Sequence, residues 1–143
     1  MADHYPYELD REAMNSLSSY ERNDREVNHN ALIIWNNQLD TTEIEKPCMS
    51  SDVIPTVYNL FGIDYDSRLF TGKDILSDSF GISILSDRSW ISSKGIFDAS
   101  TGEFLQNEEV TPDYINNVNI LVNNRLNYSR LILETDYYRY LFQ

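Results

Sequence analysis

The run Ala31, Leu32, Ile33, Ile34, Trp35 constrains the fold more than any other stretch of this chain. It is short, continuous, branched and aromatic, and polar clusters bound it on both sides. That is the pattern of a strand buried on both faces, so it predicts a sheet covered by helices. A polar connection over residues 36–46 follows, with a short edge strand expected near Thr41 to Ile44. Ser50 or Ser51 then offers an N-cap, and Asp52 favours the first helical turn. Pro55 falls early enough to be tolerated, and Gly62 can end the helix in left-handed geometry. Val53, Ile54, Val57, Leu60 and Phe61 supply its apolar stripe. Strand, loop and capped helix together read as the grammar of a layered α/β protein.

Upstream, Leu9, Ala13, Met14 and Leu17 have near-helical spacing, with Asp10 placed to cap a short amphipathic helix. Residues 20–30 are charged and aperiodic, which predicts an exposed loop or a frayed helix end; the histidine within it, His29, is assigned no role. Beyond Gly72, Lys73 and Asp74 the period changes. Residues 81–85 and 90–97 alternate in part, residues 98–102 form a turn cluster, and Glu103, Phe104 and Leu105 return as a third strand. These predict a small antiparallel meander over 81–106. Thr111, Pro112 and Asp113 combine a hydroxyl cap, a proline at the first helical position and an acid beside it. One long helix, or two, is expected over 111–143, carrying Ile115, Val118, Leu121, Val122, Leu126, Leu131 and Ile132. The whole chain, 1–143, is expected to be a single domain, with 1–80 as its αβ piece.

A chain of 143 residues with 41% apolar residues is sufficient for one folded core. Its formal net charge of −12 argues against nucleic acid or an anionic membrane surface as a partner, because a polyanion is repelled before local contacts form. The single cysteine, Cys48, has no second thiol with which to form an internal disulfide or a paired metal motif. No apolar run approaches the roughly 20 residues that span a bilayer, and the start lacks the pattern of a signal peptide. Taken alone, the chain is expected to be soluble. It carries no glycine-rich phosphate loop, no nucleophile elbow and no paired-cysteine motif.

The chemistry-bearing pair is Asp3-His4, followed by Tyr5 and Pro6. A carboxylate and an imidazole suit manganese or zinc better than calcium, which prefers oxygen alone. This segment resembles the Gly-Asp-His-Tyr segment of the lipoteichoic acid synthase family, membrane-anchored phosphoglycerol transferases of the alkaline phosphatase and sulfatase superfamily. Further segments are similar to that family's C-terminal part in the same order. Residues 31–35 resemble its following buried strand, and residues 51–64 (SDVIPTVYNLFGID) look like its "D-I-x-P-T-L-x-x-L-x-G-I" helix. Gly72 to Leu76 is similar to its "G-x-D-L-L", and Trp90 to Phe104 to its tail region with a Thr-Gly turn. Ala2 stands where the family has glycine, which strains the turn presenting the ligands if that turn needs a positive φ.

The resemblance implies a C-terminal fragment of an alkaline phosphatase-like sandwich: a buried strand, packed helices, a small meander and a long C-terminal helix. It implies a divalent cation, Mn2+ or Mg2+, that activates a threonine nucleophile against a phosphoglycerol or related ester. Asp3 and His4 would be metal ligands, with no catalytic residue supplied by this part. The nucleophile and remaining ligands would come from the missing N-terminal part of the parent enzyme, whose catalytic domain is extracellular, so the chain alone is expected to be inactive. Thr56 does not replace the nucleophile, since it falls in a helix the family uses for packing. Strand edges left without neighbours favour association into a homo-oligomer. The competing reading is a noncatalytic, acidic interaction module that presents Tyr137, Tyr138, Tyr140 and Phe142 to another protein.

Overall fold

Thr111 starts the longest element as its side chain suggests, accepting the Tyr114 N–H at 3.3 Å. Pro112 at the first helical position then leads the 23-residue helix Pro112–Glu134. The computed structural model describes residues 8–17 and 29–143. The chain is mixed α and β, and it divides into two compact units, Met1–Thr42 and Glu43–Gln143. That boundary falls inside the stretch expected as one αβ piece.

In the first unit, α1 (Arg11–Leu17) begins where Asp10 accepts the Ala13 N–H at 2.7 Å. Residues 31–35 correct the expectation of a buried strand. They form no strand, and Ile33 and Trp35 are 82% and 84% exposed. An apolar run qualifies as a central strand only when neighbours satisfy its backbone groups, and no described strand pairs with this one. The edge strand expected near Thr41 to Ile44 is likewise absent; those residues are exposed and outside any regular element.

In the second unit, a 3-10 turn, Ser50–Asp52, runs into α2 (Val53–Leu60). Met49, in extended geometry, takes the N-cap position in place of Ser50 or Ser51. Gly62 adopts φ +63 just beyond the helix end. Four short strands follow: β1 (Ile82–Ile84), β2 (Trp90–Ser92), β3 (Gly95–Phe97) and β4 (Phe104–Gln106). They make an antiparallel meander in the order β1-β2-β3-β4. The meander has four strands, not three, because Ser93 and Lys94 turn the chain between Ser92 and its partner Gly95. Gly95, at φ +150, leaves no room for a Cβ against the Leu105 carbonyl of β4.

The long helix, α3 (Pro112–Glu134), packs across one face of this sheet. Register places Trp90 opposite Ile84 on one side and Phe97 on the other, with Phe104 beyond Phe97. Trp90 is fully buried, and Ile82, Val118 and Val122 complete the buried cluster. Its indole stacks on Phe97 with centroids 5.5 Å apart, and Phe104 and Tyr114 flank it at 5.4 and 6.2 Å. Polar bonds also fix the helix to the sheet. Trp90 Nε1 donates to Asn119 Oδ1 at 2.8 Å, Arg88 to Asn123 Oδ1 at 3.1 Å, and Tyr114 OH to Ser92 Oγ at 3.0 Å. Asn119 and Asn123 lie four residues apart, so both reach the same side of α3. Left-handed Asp136 (φ 51) ends α3 and turns the chain into α4 (Tyr137–Leu141).

The Trp90→Ala variant is expected to lose about 3–5 kcal/mol of stability. Since a domain has only about 5–15 kcal/mol in total, urea denaturation should show the meander and α3 unfolding together at a much lower midpoint. A near-native midpoint would mean that the core does not rest on this indole.

Candidate functional site

Asp3 and His4, the predicted metal ligands, lie outside the described residues. Among the described residues, no group of three or more His, Cys, Asp or Glu side chains is placed to hold a metal ion. What the structure does bring together are two other segments, 51–64 and 72–76.

Asp52 joins them. It is only 7% exposed, and its two carboxylate oxygens are divided between two tasks. Oδ2 accepts the Met49 N–H at 2.9 Å, half of a capping box that starts the helix; Oδ1 accepts the Lys73 N–H at 2.8 Å, twenty-one residues away. One turn later, Thr56 repeats the pattern. Its hydroxyl donates to the Asp52 carbonyl at 2.6 Å and accepts the Ile75 N–H at 2.8 Å. Asn59, a further turn along, donates to Asp74 Oδ2 at 2.7 Å. Asp52 at the helix entrance, Thr56 within α2 and Asn59 near its end thus hold the 72–76 segment along the helix. The approach is so close that a Cβ at Gly72 would collide with the Ser51 carbonyl, which is why only glycine serves there.

The flank of this clamp is a cleft of about 10 Å³, room for roughly one water. Lys46, Cys48, Asp52, Lys73, Asp74 and Arg125 are among its lining residues. Lys46 Nζ donates to the Ser77 carbonyl, so its charge closes the segment's far end. Partial burial pushes the Cys48 thiol up, the Asp52 charge adds to that, and Lys46 opposes it. A thiol so shifted stays protonated at neutral pH and is a poor nucleophile. Thr56 is 1% exposed with its hydrogen donated and an acceptor site filled, so its oxygen is not presented to a substrate. This arrangement fastens two segments; it does not perform chemistry by itself.

Farther along the loop, Asp66 and Arg68 form a two-pronged pair. Arg68 Nε donates to both carboxylate oxygens at 2.9 and 3.0 Å, Nη2 donates to Oδ2 at 2.5 Å, and the Arg68 backbone N–H adds a fourth bond, to Oδ1, at 3.0 Å. The Arg68 side-chain bonds first, then its backbone bond and charge, lower the Asp66 carboxyl to about 2. Tyr58, Tyr65 and Phe70 meet edge to face at 5.4–5.7 Å and fix the same loop against α2.

Sequence reasoning placed Asp52 in the first turn, Thr56 in the helix and Gly72 to Asp74 in a motif, but it did not anticipate that they bond to one another. The available signal was local: an acid three residues beyond a helix's cap position can reach back to the cap, and a threonine four residues later shares its face. No family model, curated protein or solved structure matches this chain.

Two outcomes are expected. Thr56→Val should cost about 1–3 kcal/mol, because it leaves the buried Ile75 N–H without an acceptor; Thr56→Ser should restore most of it, and hydrogen exchange at Ile75 reads the difference directly. The Asp66 carboxyl, followed by NMR, should titrate near 2 and return toward the ordinary carboxylate range in Arg68→Gln. The sign follows from the depressed value: the pairing is complete above the unfolded carboxyl's range and is lost as pH falls through about 2.

Proposed function

We propose that this chain is a C-terminal segment of a lipoteichoic acid synthase-like phosphoglycerol transferase of the alkaline phosphatase and sulfatase superfamily, in which Asp3 and His4 are metal ligands. The observation that carries the reading is the order of the resembling segments, together with the part their residues play. The Asp, Pro and Thr of "D-I-x-P-T" and the Gly and Asp of "G-x-D" correspond to Asp52, Pro55, Thr56, Gly72 and Asp74. Four of these make the clamp, and Pro55 is fully buried beside it. A four-stranded meander covered by a long C-terminal helix suits the tail of such a sandwich.

Asp3 and His4 supply one carboxylate and one imidazole, a donor set that fits Mn2+ well and Mg2+ less well. Two donors are short of a complete site, so the others come from elsewhere in the parent enzyme. When bound, such a cation neutralises charge on the transferred phosphoryl group and lowers the pKa of the attacking hydroxyl. The family's nucleophilic threonine lies in none of the resembling segments, and without a nucleophile no covalent intermediate forms. This segment therefore holds ligands and braces the fold, and residues 1–143 are inactive alone. No described helix is long and apolar enough to cross a membrane; membrane anchoring would belong to the parent enzyme.

A second reading is favoured by the exposure of the C-terminal end, where Leu133 and Tyr140 are 82% and 80% exposed and Phe142 is 73% exposed. On that reading the chain is a noncatalytic module that binds another protein through this end.

Manganese calorimetry on the chain and on an Asp3→Ala, His4→Ala double variant, with turnover of a chromogenic phosphodiester followed in parallel, separates the readings. Binding that the double change abolishes, with no turnover, is expected. Turnover would overturn the claim that the nucleophile lies elsewhere. Absence of binding by either protein would put the interaction module first.

A further inference from the structure

A second concavity borders the clamp, between the C-terminal half of α3 and the loop that carries Arg68 and Phe70, and it shares Lys73 and Arg125 with the clamp's cleft. It has a volume of about 480 Å³, within the roughly 300–1,000 Å³ typical of small-molecule sites. Its apolar surface comes from Leu69, Phe70, Leu131 and Ile132, with Tyr128 and Tyr137 at its sides. Its charged residues are all basic: Arg68, Lys73 and Arg125, and no acidic side chain lines it. In a chain with 23 acidic and 11 basic residues, a groove with three cations and no anion is the reverse of the surrounding surface.

Arg68 is already neutralised by Asp66. Lys73 and Arg125 have no ion pair among the described residues, so two positive charges remain for an incoming group. The walls are held in advance. Tyr58 and Tyr65 fix Phe70, Asp52 fixes the Lys73 backbone, and Tyr138 OH donates to the Leu69 carbonyl at 2.9 Å, tying α4 to the loop. A preformed site loses less on binding than one that must be ordered.

We propose that this groove binds a small amphipathic oxyanion, with its carboxylate or phosphate head at Lys73 and Arg125 and its apolar body against Phe70, Leu131 and Ile132. The assignment uses neither Asp3 nor His4 and stands apart from the phosphoglycerol transferase reading. Charge decides the ligand's head and the apolar lining decides its tail. A neutral hydrocarbon would leave both cations unused, and a hydrophilic anion would leave the apolar wall wet.

The test is calorimetric titration of the full chain with decanoate, decyl phosphate and decyltrimethylammonium, each below its aggregation concentration. At least one of the two anions is expected to bind saturably at one per chain, about tenfold or more tighter than the cation of equal tail length, as charge-assisted hydrogen bonds predict. Decanoate alone or decyl phosphate alone identifies the head. Lys73→Gln with Arg125→Gln should remove that preference. Leu131→Glu, which keeps both cations, should weaken the anion by a similar factor, with thermal unfolding of each variant confirming the fold. Failure of both anions to bind, equal binding of anion and cation, or anion binding unchanged in the double glutamine and Leu131→Glu variants would overturn the proposal.

Discussion

The second unit depends on one indole. Trp90 lies at zero exposure on the middle of a sheet whose strands are only three residues long. Strands that short contribute few ladder bonds, so the meander has little hold on its own geometry without a helix packed on it. Trp90 provides the common surface: Phe97 and Phe104 meet it from the next strands, Tyr114 from α3, and Asn119 takes its N–H. The other buried apolar residues of the cluster, Ile82, Val118 and Val122, lie around it. With so small a core, the polar bonds from Asn119, Asn123 and Tyr114 supply the orientation that area burial alone leaves loose.

The helical parts were legible because their determinants are local. Asp10 before α1 and Thr111 with Pro112 before α3 act through bonds to residues three positions away, and such patterns can be read without knowing the fold. The alternating residues of 81–106 were legible as strands for the same reason. The turn within residues 90–97 was not, since Ser93 and Lys94 carry no strong turn signature and the decisive glycine, Gly95, follows them. Residues 31–35 misled for the opposite reason: hydrophobicity shows what a strand could be made of, not whether partners exist.

The candidate site divides along the same line. That a capped helix ends before Gly62 could be read from its cap residues and apolar stripe, but the bonds from Asp52 to Lys73 and from Thr56 to Ile75 span 21 and 19 residues. Spacing rules do not reach that far. The basic groove was equally hidden, because Lys73 and Arg125 are 52 positions apart in a strongly acidic sequence and meet only when α3 lies beside the loop. Net charge described the average surface and concealed its exception.

The bond from Tyr138 to Leu69 joins positions 69 residues apart. Closing a loop of that length carries a substantial entropic cost, which rises only slowly with further length. One exposed hydrogen bond offsets little of it, so the contact forms after Trp90 has gathered the sheet and α3, and it should break before they separate. The last turn of the chain is therefore a dependant of the core and not a support of it: it borrows its place from the indole that gathers the sheet and α3.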